Sequence, residues 1–281
     1  MTHTSRNSLM DRLVEIWTEE LPSNWHWTPD FYLGGTPEFA IETAKNCKHD
    51  VIVYYDGKAG VYDGIYYLPR SQFIGSDVVL ACNSRPPKMG RHNIIWFSWD
   101  NTKDVDYKDF DERIVLSPYH QSLFGSDSRI VPLTCNPEEF EPKYKIKKQC
   151  LYSSSPDRGG EFLKSIWSEV EERTGARLVS TYNGKYSQDD MTRLYKESEF
   201  WLHPCQGVEL FCISAVKAQV AKCIPVVVPS QALETTVKYG IKTTIENYKE
   251  DLIKAINNPP KPEPVDFGNW ETVTDKLLEN I

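Results

Sequence analysis

The sequence predicts an α/β protein built on parallel sheets. The main observation is one stretch in the second half, with an apolar strand at 200–205, a break at Gln206-Gly207, a small-residue helix at about 211–221 and a second apolar strand at 224–228. Strand, turn, helix and strand in this order form the βαβ unit of a parallel sheet. Two further observations are the apolar strands that recur through the first half and a Pro-, Glu- and Lys-rich segment, 136–148, which predicts a domain boundary.

Composition limits the classes of function. The 281 residues are enough for one large or two smaller domains. A hydrophobic content of 40% and a charged content of 26% are ordinary for a globular protein. The formal net charge of −8 disfavours a nucleic-acid partner, because tight non-specific binding of a polyanion needs a basic surface. A local basic groove stays compatible with that charge.

The cysteines and the first residues of the sequence favour a cytoplasmic location. The seven cysteines include no CxxC pair and no zinc spacing, which favours reduced thiols in a cytosolic protein. The first residues lack the apolar core of a signal peptide, and no stretch approaches the roughly 20 apolar residues of a membrane span. We therefore expect a cytoplasmic protein without a transmembrane segment, and no metal site.

The first half begins with apolar residues at Leu9, Leu13, Ile16 and Trp17, a spacing that predicts a helix over 8–20. A Gly-Gly pair at 34–35 precedes a predicted helix at 37–46 and a strand at 51–55. Further short strands are predicted at 65–68, 78–82, 94–99, 114–116 and 130–133. Few helices fit between these strands, which is typical of a trimmed Rossmann-like domain.

The second half alternates strands and helices. Strands are predicted at 150–155 and 177–182, in addition to the pair around Gln206-Gly207. Helices are predicted at 161–173, where Asp157 can cap the start, and at 188–198, 232–239, 244–257 and 270–281. This alternation predicts a second parallel sheet.

Glu209 lies where the strand 200–205 has ended and the next helix begins. Ligands of open α/β sheets bind at that edge. The start of a helix adds free N–H groups and partial positive charge, which suit a phosphate. The stretch therefore predicts a site for a phosphorylated small molecule.

The run E-L-F-C-I-S-A-V-K-A-Q, with I-P-V-V-V after it, resembles the signature of the retaining glycosyltransferases of family 4. The resemblance covers most of the C-terminal half and, more weakly, the N-terminal half. It implies the GT-B fold, in which two Rossmann-like parallel-sheet domains face a cleft. It assigns residues 1–140 to a trimmed N-terminal, acceptor-side domain. Residues 141–281 become the nucleotide-sugar-binding domain, with a last helix that packs back on the first.

The resemblance also implies roles at the donor site. Glu209 matches the Glu that accepts hydrogen bonds from sugar hydroxyls, and the backbone amides of Leu210, Phe211 and Cys212 would hold the diphosphate. Arg158 would sit on that diphosphate, because its fork pairs two phosphate oxygens. The alternatives are a helix-capping carboxylate for Glu209 and a surface Arg at a helix start.

The nucleotide base would lie beside Tyr186 and Ser187, which follow the turn 183–185. The alternative for Tyr186 is packing under a loop.

Two further positions follow from the N-terminal half. Gly34 and Gly35 match the family's opening turn, where glycines let the backbone approach a ligand, although a plain turn explains them equally. Asp100 ends W-F-S-W-D, where the family often shows W-x-H-D, so Trp99 replaces the His that points at the sugar. For Asp100 the resemblance implies a catalytic role at the acceptor site, and the alternative is a carboxylate that caps the end of a strand.

One position departs from the signature. The family has a second Glu after seven intervening residues, and it accepts hydrogen bonds from both ribose hydroxyls; here the residue is Lys217. An ammonium only donates, so it cannot replace that acceptor. Either Lys217 points away and the ribose is held otherwise, or it binds phosphate, or donor binding has been lost.

The function implied is retaining, metal-independent transfer of a sugar from a UDP- or GDP-linked donor to an acceptor hydroxyl, with no cofactor besides that substrate. The acceptor would be a glycan or a lipid-linked or protein-linked hydroxyl. The alternatives are a degenerate GT-B protein that serves as a binding or scaffold partner and a viral- or phage-type enzyme acting on modified nucleic acid. A homo-oligomer stays open.

Overall fold

The computed structural model describes residues 12–19, 21, 35–98, 107–182 and 186–281. Their strands form two sheets, one of eight strands (sheet A) and one of five (sheet B). Parallel pairs dominate sheet A and make up all of sheet B. The expected α/β class, with two Rossmann-like parallel sheets, is confirmed.

Sheet A has the strand order β3-β4-β2-β1-β5-β6-β7-β8, and β3 is its antiparallel strand. Runs such as VVLAC are buried on both faces, as a covered parallel sheet requires. The strands are β1 Leu13–Trp17, β2 Asp50–Tyr55, β3 Gly60–Tyr62, β4 Ile65–Pro69, β5 Val78–Cys82, β6 His92–Trp96, β7 Glu112–Val115 and β8 Arg129–Ile130. Three helices accompany or follow them: α1 Gly35–Asn46, α2 Pro118–Phe124 and α3 Pro137–Phe140.

The helix predicted over 8–20 is wrong for its described part, because residues 13–17 form β1 in the middle of sheet A. Val14 and Ile16 are buried on one face of the strand, and Glu15 and Trp17 are buried on the other. A strand covered on both faces has no polar side to reveal its period of two, so its apolar residues also fit a helical spacing. The Glu15 carboxylate accepts a hydrogen bond from the Ser76 N–H, which offsets part of the cost of its burial.

Sheet B has the order β10-β9-β11-β12-β13. Two of its predicted helices begin later than the sequence suggests: the one expected from 211 starts at 213, and the one expected from 244 starts at 248. The strands are β9 Ile146–Tyr152, β10 Arg177–Ser180, β11 Ser198–His203, β12 Ile224–Val227 and β13 Ile241–Lys242. The helices are α4 Gly160–Thr174, α5 Gln188–Glu197, α6 Ile213–Val220, α7 Leu233–Thr236, α8 Tyr248–Asn257 and α9 Trp270–Leu277.

The last helix returns to sheet A. Helix α9 packs against α1, and its Trp270, Val273 and Leu277 belong to the core that covers sheet A. Among the helices that the structure describes, none has the length and apolar character needed to cross a bilayer.

A close approach between two strand ends fixes the start of α4. Gly159 has a φ of +97°, and a Cβ at this position would lie 2.7 Å from both Cγ and the carbonyl oxygen of Pro204. Pro204 directly follows β11, and Arg158 precedes the glycine in a 3-10 turn at Pro156–Arg158. The absence of a side chain at 159 therefore lets the segments that follow β9 and β11 touch.

We predict that Gly159→Ala lowers the free energy of unfolding by about 2–3 kcal/mol, because the methyl meets Pro204 and the left-handed φ disfavours any side chain. The matched control is Gly175→Ala, at a φ of +67°, where an added Cβ would meet no atom within 4 Å. That control has only the conformational cost, about 1 kcal/mol. Urea denaturation followed by tryptophan fluorescence measures both, and equal losses would contradict the contact with Pro204.

Candidate functional site

The ends of strands from both sheets border one cavity of about 460 Å³. One wall comes from sheet A and the N-terminus of α1, and the other comes from segments that follow β9 and β11. The first wall consists of Thr36, Trp96, Ser98, Leu116 and Leu133, and the second of Arg158, Val208, Glu209, Leu210, Phe211 and Ile213. The carboxyl ends of parallel strands are where ligands bind in such sheets, so the cleft is the candidate site.

Glu209 is held by its backbone as well as by its side chain. Its N–H donates to the side-chain oxygen of Gln231, and its carbonyl accepts from the Ala232 N–H at 3.2 Å. Both partners lie in the loop after β12, next to β11 in the sheet. The residue is only 4% exposed, so its carboxylate needs a partner of opposite charge.

That partner is Arg158, whose Nη1 donates to Oε2 of Glu209. Burial works against the charge of Arg158, but the Glu209 carboxylate outweighs it and raises the pKa of the guanidinium. The Arg158 side chain stays 40% exposed. The structure therefore brings together the two predicted site residues, 51 positions apart in the chain, as an ion pair on one wall.

His203 and Cys205 lie behind this pair. His203 is fully buried, stacks on Trp201 and places Nε2 3.4 Å from Oε2 of Glu209, without the geometry of a hydrogen bond. Its Nδ1 lies 3.1 Å from the hydroxyl of Ser154. Burial raises the pKa of the Cys205 thiol. The ligand atoms of His203, Cys205 and Glu209 all lie within 4.8 Å of one another, although H-x-C-x3-E matches no common zinc spacing.

The segment 210–212 precedes α6 and is not its first turn, as the predicted helix start at 211 had implied. Cys212 is the residue that caps α6, and burial raises the pKa of its thiol. Within the described residues, the N–H groups of Leu210 and Phe211 make no hydrogen bond. The Leu210 carbonyl accepts from the Ser117 hydroxyl at 2.7 Å, and Phe211 packs against the cores of both sheets. This segment of the second wall therefore joins the two sheets beside the cavity.

The sheet A wall is neutral and rich in hydroxyl groups. The hydroxyls of Thr36 and Ser98 lie 2.8 Å apart, and Asn83 bonds both the side chain and the N–H of Ser98. Trp96 stacks on Phe39, with ring centroids 4.0 Å apart, and its buried indole N–H has no partner among the described residues. The sequence offered one signal for this wall, since Thr36 follows the Gly-Gly pair and Ser98 belongs to W-F-S-W-D.

Lys217 is fully buried, and its Nζ lies 2.6 Å from Oε2 of Glu38 in α1. It also lies over the ring of Phe140, 5.9 Å from the centroid. Burial raises the pKa of the Glu38 carboxyl, and Lys217 lowers it in part. Lys217 is not among the described residues that line the cavity. Its ammonium therefore serves a contact between the two sheets.

The remaining predicted residues are placed less centrally. Ser187 caps α5, where its hydroxyl accepts from the Asp190 N–H and its own N–H lies 3.3 Å from the Asp190 carboxylate. Tyr186 is half-buried against the core of sheet B. Gly35 is the first residue of α1. The predicted positions at Gly34 and Asp100 lie outside the described residues.

No protein-family model and no curated protein matches this sequence. Solved structures resemble it over nearly the whole chain. AviGT4, a glycosyltransferase of avilamycin A biosynthesis, has a TM-score of 0.66 and 14% identity, covering 95% of this chain and 96% of its own. Sucrose-phosphate synthase of Thermosynechococcus elongatus has a TM-score of 0.65 and 11% identity, covering 95% and 97%. HepE of Anabaena, solved with UDP and glucose, has a TM-score of 0.60 and 10% identity, covering 94% and 95%.

Likeness at such low identity establishes the architecture. This chain has the GT-B fold, as the resemblance implied, with two parallel-sheet units that face a cleft.

We predict that Lys217→Glu lowers the free energy of unfolding by about 3–5 kcal/mol, because it buries two carboxylates side by side. The exchanged double variant Glu38→Lys/Lys217→Glu restores most of that loss. Lys222→Glu is the matched control, since Lys222 pairs with Glu141 on the surface and its loss costs about 0.5 kcal/mol or less. Chemical denaturation of the original protein and these three variants measures the coupling, and a Lys217→Glu protein as stable as the control would contradict the buried pair.

Proposed function

We propose that this protein is a glycosyltransferase that moves a sugar from a nucleoside-diphosphate sugar to an acceptor hydroxyl, with retention and without a metal ion. The observation that carries the proposal is the Arg158–Glu209 pair on one wall of a cleft between two parallel sheets. The fold supports it, since structural neighbours of this chain include glycosyltransferases, and HepE has been solved with UDP and with UDP-glucose. The cavity of about 460 Å³ has the size of an ordinary ligand pocket.

The donor would lie along the sheet B wall. Arg158 uses Nη1 for Glu209, and a guanidinium has five donors, so others remain for the oxygens of a diphosphate. The N–H groups of Leu210 and Phe211, which bond no described residue, add neutral donors nearby. Glu209 would then accept hydrogen bonds from hydroxyls of the transferred sugar. The base would lie toward Tyr186 and Ser187, at the start of α5.

The acceptor would enter from the sheet A wall, where Thr36 and Ser98 offer hydroxyls without charge. In the reaction, the bond from the anomeric carbon to the phosphate oxygen breaks, and a bond to the acceptor oxygen forms on the same face of the sugar. The leaving phosphate takes the proton of the acceptor hydroxyl. Arg158 balances the negative charge that develops on that phosphate as the bond breaks. A cation fixed at that point lowers the barrier by stabilising the transition state.

The decisive experiment is turnover of a panel of UDP-, GDP- and ADP-linked sugars with hydroxyl acceptors, followed by release of the nucleoside diphosphate. Proton NMR of the first product reports the anomeric configuration, and a parallel reaction in EDTA tests the independence from metal. Thermal shifts separate binding from catalysis, because a ligand that binds the folded state raises the melting temperature. If the protein bound a donor but did not turn it over, it would be a binding protein and not a transferase. A product with the inverted anomeric configuration would contradict the proposed retention.

We predict that Arg158→Gln lowers kcat/KM by about 100-fold or more, because the leaving diphosphate loses its cation. The matched control is Arg173→Gln on α4, which removes a guanidinium paired with Glu169 and Glu250 away from the cavity. The control is expected to keep its kcat/KM. Steady-state kinetics with the best donor of the panel measures both, and equal losses would remove Arg158 from the donor site.

A further inference from the structure

We infer that His203, Cys205 and Glu209 form a binding site for a thiophilic divalent cation, with Zn²⁺ as the best match, and that its occupation blocks sugar transfer. Binding of the metal is independent of the proposed function. The inhibition rests on it, because Glu209 is the carboxylate assigned to the sugar.

The three side chains converge from one short segment. Each offers one ligand atom, and the imidazole nitrogen, the thiol sulfur and the carboxylate oxygen lie within 4.8 Å of one another. Bonds of about 2.0–2.3 Å to zinc bring such ligands to about 3.5 Å apart, so they need to close by about 1 Å. All three are buried, with at most 4% of the residue exposed, so the cluster is a defined interior feature of the wall.

His203 supplies the second observation that points to a ligand. Its Nε2 is buried and makes no hydrogen bond to any residue that the structure describes, although it lies 3.4 Å from Oε2 of Glu209. An unsatisfied buried nitrogen beside a carboxylate is costly, and a cation bound there would satisfy the nitrogen while taking the place of Arg158 on Oε2. The other ring nitrogen already faces the hydroxyl of Ser154 at 3.1 Å. Metal-ligating histidines commonly have such an outer partner, which fixes the ring and the tautomer.

The ligand types select the metal. A thiolate, an imidazole and a carboxylate suit Zn²⁺ or Co²⁺, whereas Mg²⁺ and Ca²⁺ prefer oxygen ligands. Binding releases the proton of the Cys205 thiol to solvent, and the two anionic ligands then balance the metal charge. Three protein ligands leave a fourth position for water.

The metal would reach this cluster through the cavity, because Glu209 and Arg158 line it. Arg158 is the cation on Oε2 of Glu209 in this structure, so a bound metal competes with the guanidinium for the same carboxylate. A carboxylate held by a metal cannot also accept hydrogen bonds from sugar hydroxyls with full strength. Zinc therefore acts as an inhibitor of the proposed reaction.

The test is a titration of the chelator-treated full-length protein with Co²⁺. The expected result is one cobalt per chain, with a thiolate-to-metal charge-transfer band and the intense visible bands of a tetrahedral site, both removed by one equivalent of Zn²⁺. Mg²⁺ produces neither effect. Absence of the charge-transfer band, or binding only at large excess, would overturn the site.

Variants identify the ligands. Cys205→Ser is expected to abolish the charge-transfer band, and His203→Gln is expected to lower cobalt affinity strongly. Ser154→Ala, which leaves all three ligands in place, is expected to weaken it by about tenfold. Cys150→Ser is the matched control, because it changes another buried thiol, on β9, and should leave the spectrum intact. Circular dichroism confirms that each variant is folded, and a band that survives in folded Cys205→Ser would contradict the assignment.

The kinetic arm tests the inhibition. One equivalent of Zn²⁺ is expected to abolish transfer by the original protein, and excess EDTA restores it, whereas the transfer rate of Cys205→Ser no longer responds to zinc. Cobalt binding without any transferase activity would support the metal site and contradict the proposed function. Transferase activity that zinc does not affect, in a protein that binds cobalt at Cys205, would overturn the inhibition.

Discussion

The buried ion pair between Lys217 and Glu38 is the interaction on which the arrangement of the two sheets depends. An ammonium without exposed surface costs several kcal/mol when its partner is removed, so α6 and α1 must stay in contact. The segment before α6 follows from that contact, because the Leu210 carbonyl meets the Ser117 hydroxyl and Phe211 packs into both cores. A pair outside the described lining of the cleft thus helps to hold its two sides together.

The two walls that this arrangement brings together differ in charge. Arg158 and Glu209 stand on the sheet B wall, whereas Thr36 and Ser98 offer only neutral hydroxyls on the other. Those hydroxyls already bond each other, so they are oriented before any ligand arrives. The indole N–H of Trp96, which has no partner in the described part of the chain, is a further donor on the same side. An anionic donor and a neutral acceptor suit opposite walls, and the proposed sugar transfer uses this difference.

The sequence predicted what local pattern determines. The βαβ unit around Glu209 was visible because strand, glycine turn and small-residue helix follow one another within about 30 residues. The sequence predicts a helix at β1 because a strand buried on both faces lacks the alternation of polar and apolar residues. Its one charged residue, Glu15, is buried as well, which a sequence pattern does not indicate. The sequence could not predict the partner of Lys217, because Glu38 lies 179 positions away and no local pattern connects the two residues. His203 likewise lies close to Glu209 because of the path of the chain after β11, and the spacing of apolar residues does not predict that path.

The choice of cation that pairs with Glu209 depends on one glycine turn. A carboxylate that is 4% exposed will take whichever cation lies nearest, because its burial leaves the charge otherwise uncompensated. Arg158 precedes Gly159, whose missing side chain lets the segment after β9 touch Pro204 after β11. A guanidinium on Glu209 leaves donors free for phosphate, whereas a metal on Glu209, His203 and Cys205 uses the carboxylate itself. In the two proposals the same buried carboxylate completes either a nucleotide site or a metal site, and the position of Arg158 distinguishes them.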